Sequence, residues 1–148
     1  MPGPRLIIRP PAERDIPALA ALMADFNRDQ PMTETEMAGR LAFVAQSPHD
    51  ELAVAEQEGE VVGFVAFRTE EVIHRLSPYG VIVTLSVAAP HRRMGIGSRL
   101  LAYAESRLKE QGIDHVRLTS RLGRKEEAHK FYDAQGYEVR GLQFARRI

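Results

Sequence analysis

The sequence predicts an α/β domain in which a mixed sheet carries helices on both faces. The first reason is the order of its apolar patterns, which reads β-α-α-β-β-β-α-β-α-β-β from the N-terminus. The second reason is composition, because 148 residues with 44% hydrophobic and 27% charged side chains are ordinary for one soluble globular domain. We therefore predict a single domain over residues 1–148.

The N-terminal stretch predicts a strand followed by a helix. Residues 5–9 read RLIIR, a short strand that Pro10 and Pro11 stop. Asp15 then serves as the expected N-cap of a helix, with Pro17 in its first turn, where a missing N–H costs little. The apolar residues of this helix follow at helical spacing: Leu19, Leu22, Met23 and Phe26.

A second helix and a hairpin come next. Thr33 and Glu36 have the spacing of a capping box, which predicts a helix that runs to about Ala45. Two apolar runs then flank a turn around Gly59, the pattern of a β-hairpin. Residues 61–67 are apolar on both faces of the predicted strand, so we expect this strand at the centre of the sheet.

The middle of the chain predicts a strand over residues 81–88 and a helix over residues 95–111, with Gly112 as its C-terminal cap. A regular strand places alternate residues on opposite faces. The expected faces are Val81, Val83, Leu85 and Val87 on one side, and Ile82, Thr84, Ser86 and Ala88 on the other.

The C-terminal part predicts a strand over residues 115–120 and a short helix over residues 126–137, closed by Gly136. Two short strands, around Glu138 and Phe144, are expected to finish the sheet.

Composition excludes several classes of function. The formal net charge is zero, so no overall field favours nucleic acid or an anionic membrane as a partner. Cysteine is absent, which excludes disulfides, thiolate metal sites and a cysteine nucleophile, and suits a cytoplasmic protein. No apolar run approaches about 18 residues, and the N-terminus lacks a secretory signal, so we expect no membrane segment. No histidine spacing suggests a metal site.

Two glycines stand where a strand ends and a helix begins. Gly95 and Gly97 allow a ligand to approach the exposed N–H groups and the positive dipole of the helix start. Arg92 and Arg93 add cationic donors, and the combination predicts a pocket for a phosphate or pyrophosphate. The spacing matches neither a Walker loop nor G-x-G-x-x-G. On these residues alone, a tight turn with surface arginines is an equally good interpretation.

The segment from Arg92 to Gly97 resembles the Arg/Gln-x-x-Gly-x-Gly/Ala acetyl-CoA loop of the GNAT family of N-acetyltransferases. Three further stretches resemble that family in the same order along the chain. They are AVAEQEGEVVGFVAF (53–67) as its strand 2 and 3 hairpin, LSVAAPHRR (85–93) as strand 4 and its exit, and EEAHKFYDAQGY (126–137) as a later motif. The resemblance therefore covers nearly the whole chain.

The resemblance implies a GNAT-type acyl-CoA fold, with a mostly antiparallel sheet whose strands 4 and 5 splay apart to form a cleft. It implies that acetyl-CoA lies in this cleft, with the pantetheine arm paired to the edge of strand 4 at Leu85, Ser86 and Val87. The pyrophosphate is expected on the loop residues Arg92, Arg93, Met94, Gly95, Ile96, Gly97 and Ser98.

The same resemblance implies direct transfer of an acetyl group to a primary amine of a small molecule or peptide. Tyr132 matches the family tyrosine that gives a proton to the leaving thiolate. The glutamate that many relatives carry on strand 4 is missing, since Thr84 and Ser86 occupy the neighbourhood and are too weak as bases. His74 is the candidate base, and Glu70 and Glu71 are also within plausible reach.

Two other interpretations stay open at this point. The missing carboxylate is also compatible with a regulatory module that binds acetyl-CoA without turnover. Nucleic-acid binding through the short basic clusters is disfavoured by the neutral net charge. The order of elements is compatible with a homodimer, and the acceptor, the base and the use of other acyl groups stay undetermined.

Overall fold

The computed structural model describes residues 4–120 and 125–148, except for the side chains of Lys125 and Glu126. Its residues fall into two compact units, which divide after Arg117. The first unit contains β1 (Leu6–Arg9), α1 (Ile16–Phe26), α2 (Glu34–Gln46), β2 (Asp50–Gln57), β3 (Glu60–Glu70), β4 (Tyr79–Val87) and α3 (Ile96–Glu110). Strand β5 (Val116–Leu118) lies at the division, and α4 (Lys130–Ala134) lies in the second unit.

The sheet is mixed and has the order β1-β2-β3-β4-β5. The first four strands are antiparallel to their neighbours, and α3 provides the crossover from β4 to β5. Strand β3 lies at the centre of the sheet, as predicted from the apolar residues on both of its faces. The predicted α/β class and the mixed, mostly antiparallel sheet are confirmed.

Asp15 occupies the N-cap position of α1, as predicted, but its side chain makes no capping hydrogen bond to that helix. Asp15 closes a 3-10 turn (Glu13–Asp15) ahead of α1, and its carboxylate accepts hydrogen bonds from the backbone N–H of Ala12 at 2.7 Å and from the Arg9 guanidinium. Only 3% of Asp15 is exposed. The hydrogen bonds from Arg9 lower the pKa of Asp15, and the same pair raises the pKa of Arg9. The Arg9 guanidinium and the Ala12 N–H therefore take the carboxylate that would otherwise accept from the first N–H groups of α1.

The cap of α2 and the hairpin are confirmed. The Thr33 hydroxyl accepts from the Glu36 N–H at 3.1 Å, and the Glu36 carboxylate accepts from the Thr33 N–H at 3.0 Å. These bonds lower the pKa of Glu36. Strands β2 and β3 are joined by a two-residue loop in which both Glu58 and Gly59 have positive φ, at 53° and 79°. This is the conformation that a two-residue hairpin with a right-handed twist requires.

Helices cover both faces of the sheet. On one face, α1 and α2 form a core with β2 and β3, whose buried members include Leu19, Met37, Leu52, Val54 and Phe64. On the other face, α3 comes close to the sheet at two glycines. A Cβ on Gly63 would lie 3.2 Å from the Leu100 side chain, and one on Gly80 would lie 2.8 Å from that of Leu108.

Helix α3 ends as predicted. Gly112 has φ 82°, its N–H donates to the Lys109 carbonyl, and the N–H of Ile113 donates to the Leu108 carbonyl. This pair of bonds defines a Schellman motif, which satisfies the last carbonyls of the helix.

The second unit contains a π-helical turn (Lys125–His129) that continues into α4. Gly136 follows α4 with φ 90°, as expected for a helix cap. The strands expected around Glu138 and Phe144 are wrong, because residues 137–148 carry no regular secondary structure. A strand needs a hydrogen-bonded neighbour, and a pattern within one segment does not show whether the fold supplies one.

Candidate active site

Strand β4 contains a bulge at Val83. Its register against β3 pairs Ala66 with Thr84 but Phe67 with Ile82, so Val83 is the extra residue. The Val83 side chain is exposed, whereas Ile82 next to it is buried. A bulge bends its strand and increases the local twist. The second half of β4 therefore follows a different direction from the first.

The bulge also changes which face each residue occupies. Ile82 and Thr84 are two residues apart, but the extra residue between them turns them to opposite faces of the sheet. Thr84 pairs with Ala66, which packs against the core formed by α1 and α2. The predicted grouping of Ile82 with Thr84 and Ser86 is therefore wrong.

Beyond the bulge, two residues direct their backbone groups toward the edge of β4 opposite β3. The Ala88 N–H donates to the Val62 carbonyl on β3 at 2.8 Å. Backbone groups alternate in direction along a strand, so Ser86 also points at β3, while Leu85 and Val87 point at the opposite edge. Ser86 is buried and does not lie at the edge where the sequence analysis placed it.

Strand β5 accompanies only the first half of β4. The Gly80 N–H donates to the His115 carbonyl at 2.8 Å, which places the start of β5 beside the start of β4. Strand β5 then has only three residues. Leu85 and Val87 lie further along β4, so the N–H and C=O of Leu85 and the N–H of Val87 point away from β3 without a partner in the described span of β5.

The loop between β4 and α3 adopts the left-handed conformation twice. Gly95 has φ 80°, and no heavy atom lies within 4 Å of the position that a Cβ would take there. Arg93 has φ 64°, which costs a non-glycine residue about 1–2 kcal/mol. The first intrahelical bond of α3 runs from the Arg99 N–H to the Gly95 carbonyl. The N–H groups of Ile96 and Gly97 precede it, as donors at a positive helix end.

The Arg92 side chain fastens this loop to the rest of the unit. Its Nε donates to the Val87 carbonyl at 3.0 Å, and its Nη2 donates to the Asp25 carboxylate at 3.0 Å. Asp25 lies near the end of α1. The Arg92 side chain thus holds the loop in place, and its guanidinium is already engaged by protein groups.

A stack of cations on an aromatic ring braces the start of β4. The guanidinium carbons of Arg75 and Arg117 lie 4.3 and 4.2 Å from the centre of the Tyr79 ring. Arg75 is paired with Asp114 at 3.1 Å, and Arg117 is paired with Glu70 at 3.2 Å. These contacts join the end of β3, the loop before β4 and the start of β5.

His74 belongs to this braced end. It is exposed in the loop between β3 and β4, and its ring centre lies 6.4 Å from that of Tyr79. Tyr79 lies four positions before the bulge at Val83, a distance of about 13 Å along a strand. The structure therefore places His74 at the end of β4 that is remote from the glycine loop.

Tyr132 lies in α4, in the second unit. Its ring is partly exposed and makes edge contacts with Phe131 at 5.1 Å and Tyr137 at 5.9 Å between ring centres. The Tyr137 N–H also donates to the Tyr132 carbonyl at 3.0 Å. These contacts fix the orientation of the phenol relative to its own helix.

Across residues 4–120 and 125–148, no group of three or more His, Cys, Asp or Glu side chains is arranged to hold a metal ion. None of the helices described is long and apolar enough to cross a membrane.

The family model for the acetyltransferase (GNAT) family matches residues 19–137, which include most of the first unit and part of the second. The chain belongs to the GNAT family. The aminoalkylphosphonate N-acetyltransferase of Salmonella typhimurium is 32% identical to it over 101 residues. That match covers 68% of this GNAT chain and 65% of the relative, so just over a third of the relative's length lies outside it.

Solved structures agree with the GNAT fold. The aminoglycoside N-acetyltransferase AAC(6')-Iy in complex with CoA matches with a TM-score of 0.86 and 16% identity, over 99% of this chain and 97% of that one. A transcriptional regulator from Bacillus halodurans C-125 matches with a TM-score of 0.87 and 22% identity, over 97% and 100% of the two chains. Identities this low show the fold alone.

Sequence reasoning missed the bulge and the contact of Arg92 with Asp25. Residues 81–83 are three consecutive apolar residues, and such a run departs from strict alternation; this was the available signal for the bulge. No comparable signal marks Asp25, because its partner is 67 positions away along the chain.

Proposed function

We propose that this GNAT protein transfers the acetyl group of acetyl-CoA to a primary amine. One observation carries the proposal: β4 bends at the bulge of Val83, the backbone groups of Leu85 and Val87 beyond it point away from β3, and a glycine loop at the start of α3 follows directly. An extended amide chain that ends in a diphosphate matches both features. The edge supplies backbone partners, and the helix start supplies N–H donors with a positive dipole.

The residues of this chain fit such a ligand. The open space around Gly95 allows an anion to reach the backbone, and the Arg93 conformation is a local cost of the kind found at binding sites. Leu85 and Val87 are the residues that would pair with the pantetheine amides. Met94, Ile96, Gly97 and Ser98 complete the proposed diphosphate loop, and Arg92 acts mainly by fastening it.

Acetyl-CoA supplies an acyl carbon activated as a thioester, which an amine attacks directly as a C–N bond forms and the C–S bond breaks. The amine has a pKa near 10 and must lose a proton before attack. The departing thiolate must gain one. We assign this second proton to the phenol of Tyr132, on the resemblance of residues 126–137 to the family motif.

The proton acceptor for the amine is less well supported. His74 is the sequence-based candidate, but its contact with Tyr79 puts it at the remote end of β4. Thr84, beside the bulge, has a hydroxyl that can hold a water molecule but is too weak a base. We therefore propose that the amine loses its proton to solvent or through a water held near Thr84.

The acceptor is proposed to be a small amine. A relative that acts on aminoalkylphosphonates supports this class, although it is similar to this chain over only part of its length. A regulatory module that binds acetyl-CoA without turnover is the second candidate, since β4 carries no carboxylate.

Thermal unfolding with and without acetyl-CoA tests the first step. At about 100 times its dissociation constant, the ligand should stabilise the fold by roughly 2.7 kcal/mol. For a chain of this size we expect a rise in Tm of very roughly 5–10 °C. An unchanged Tm up to millimolar acetyl-CoA would reject both the enzyme and the module.

A panel of amines with detection of free CoA thiol separates these two candidates. Release of thiol that depends on an amine identifies an enzyme. Binding of acetyl-CoA with no release across small amines, polyamines, amino acids, aminoglycosides and peptide N-termini identifies a module.

The role of Tyr132 is tested by Tyr132→Phe, which removes one oxygen and keeps the ring contacts with Phe131 and Tyr137. We expect kcat to fall by about 10²-fold or more, with less than a threefold change in the Kd for acetyl-CoA. His74→Ala is the matched test of the weaker candidate. Equal kcat values for wild type and Tyr132→Phe would remove Tyr132 from proton transfer, provided that chemistry limits the rate.

A further inference from the structure

A small cavity lies between α2 and the sheet and reaches the bulge of β4. Its volume is about 150 Å³, and Val83 and Thr84 form part of its wall. It is separate from the glycine loop but shares β4 with the proposed position of the acetyl group. This cavity is therefore where an acceptor can meet the bulge.

The walls of the cavity are mostly apolar and adaptable. Met23, Met32 and Met37 line it from α1, the following loop and α2, with Phe43 and Phe64 nearby. Methionine side chains are flexible and polarisable, so they fit aliphatic chains of varied shape. The volume equals that of about five water molecules at roughly 30 Å³ each, which limits an occupant to a short chain.

One arginine lines this cavity. Arg40, in the middle of α2, has its guanidinium 4.4 Å from the centre of the Phe43 ring. Among the described residues it makes no ion pair. Glu36, one turn earlier on the same helix, is positioned as its natural partner but uses its carboxylate on the Thr33 N–H.

The acids of the cavity are already neutralised. Asp50 accepts a hydrogen bond from Ser47 at 2.7 Å and lies 3.9 Å from Arg68. Glu51 accepts from Arg107 at 2.9 Å and from Gln111 at 2.8 Å, and this raises the pKa of Arg107. Among the described residues, Arg40 is therefore the charged side chain of the cavity that has no ion-pair partner.

We propose that the acceptor is a short aliphatic primary amine with an anionic group at its other end, and that Arg40 binds this anion. The proposal rests on the proposed function, since it treats the cavity as the acceptor site. The methionines enclose the alkyl chain, and the amine end extends toward Val83 and Thr84. Carboxylates and phosphonates share the required chemistry, because a guanidinium binds either with two parallel hydrogen bonds.

The test is calorimetric titration with four small amines of similar length, in the presence and in the absence of CoA. The ligands are 3-aminopropionate, 2-aminoethylphosphonate, propylamine and 1,3-diaminopropane. The binding of each ligand is measured directly and does not depend on turnover. We expect at least one of the two anionic amines to bind about tenfold or more tightly than propylamine, and the diamine to bind weakly. The two anionic ligands separate carboxylate from phosphonate preference.

Three variants assign the effect to Arg40. Arg40→Ala should remove the preference for the anionic amine and leave propylamine within about twofold, and Arg40→Glu should reverse the preference toward the diamine. Arg5→Ala is the matched control, since Arg5 is an exposed cation of the same unit outside the cavity. The Kd for acetyl-CoA should be unchanged in all three, which also reports correct folding.

Two results would overturn the inference. One is equal binding of anionic and neutral amines, or no binding of either, by wild-type protein that binds CoA. The other is an anion preference that survives Arg40→Ala. Failure of the proposed function would give a different result: the wild-type protein would not bind CoA. The titration with anionic amines in the absence of CoA would still report whether Arg40 binds the anion.

Discussion

The two ends of β4 are built in opposite ways. Its first half is held on both sides, by β3 and by the start of β5, and the Tyr79 ring is enclosed between two paired arginines. Its second half, after Val83, is paired with β3, and with no other strand among residues 4–120 and 125–148. A single extra residue thus divides β4 into a braced segment and an open segment, while β3 pairs with both of them.

The difference assigns separate tasks to the two halves. Contacts at the braced end should affect stability and leave ligand affinity unchanged, because they join three segments of the unit away from the glycine loop. Groups at the open end should affect ligand affinity as well as stability, because the backbone groups of Leu85 and Val87 point away from β3. Variants at matched positions on the two halves test this division.

The largest effect is expected from the two glycines that let α3 approach the sheet. A Cβ on Gly63 would lie 2.8 Å from the backbone oxygen of Ser86, which cannot move without displacing the open half of β4. A Cβ on Gly80 would lie 2.8 Å from the end of the Leu108 side chain, which can rotate. We expect Gly63→Ala to lower the free energy of unfolding by about 3 kcal/mol and Gly80→Ala by about 1 kcal/mol. Urea denaturation measures both.

Equal losses of unfolding free energy in these two variants would contradict this prediction. They would mean that the Ser86 backbone and the Leu108 side chain move aside for a Cβ equally easily. A larger loss in Gly80→Ala would reverse it and make the braced end the less tolerant of the two.

A smaller effect is expected at the two ends of α3, where only one of two matched variants should change the affinity for acetyl-CoA. Gly95 and Gly112 have φ of 80° and 82°, and neither has a neighbour near the position of a Cβ. Alanine at either position should therefore lower stability by a similar amount, about 1 kcal/mol. Only Gly95→Ala should also weaken acetyl-CoA binding, by roughly tenfold, because only Gly95 lies in the proposed diphosphate loop. Calorimetric titration with acetyl-CoA distinguishes the pair, and a shared loss of affinity would point to a general effect on α3.

The smallest effect is expected at the brace. Tyr79→Leu removes the ring that both Arg75 and Arg117 cover, and two partly exposed cation–π contacts predict a loss of about 1 kcal/mol. Tyr79→Phe keeps the ring and should resemble wild type. We expect the Kd for acetyl-CoA to stay within about twofold in both variants. A tenfold change in Kd for Tyr79→Leu would show that the braced end also shapes the binding site.

Much of this fold was predictable because its signals are local. The capping box of Thr33 and Glu36, the hairpin at Gly59 and the end of α3 at Gly112 each depend on a few adjacent residues whose conformational preferences are strong. The motif from Arg92 to Gly97 likewise specified the family, which the match over residues 19–137 confirms.

The errors have a common physical origin in partners that lie elsewhere in the chain. Asp15 has the residue type of an N-cap, but Arg9 and the Ala12 N–H take its carboxylate. The alternation of β4 fails at Val83 because the register with β3 shifts there. The strands expected at Glu138 and Phe144 require a neighbour that their own residues do not specify. The roles of Tyr132 and His74 in catalysis stay predictions.

The extra residue in β4 has a consequence for how such a protein changes over time. Deleting Val83 would restore an uninterrupted alternation without changing the pairing of Leu85 and Val87 with β3, and the bend that the bulge introduces would be lost. Loss of a single codon would thus straighten β4, so that its second half would follow the direction of its first. Insertions and deletions in this strand should therefore be far rarer among functional descendants than substitutions at the same sites.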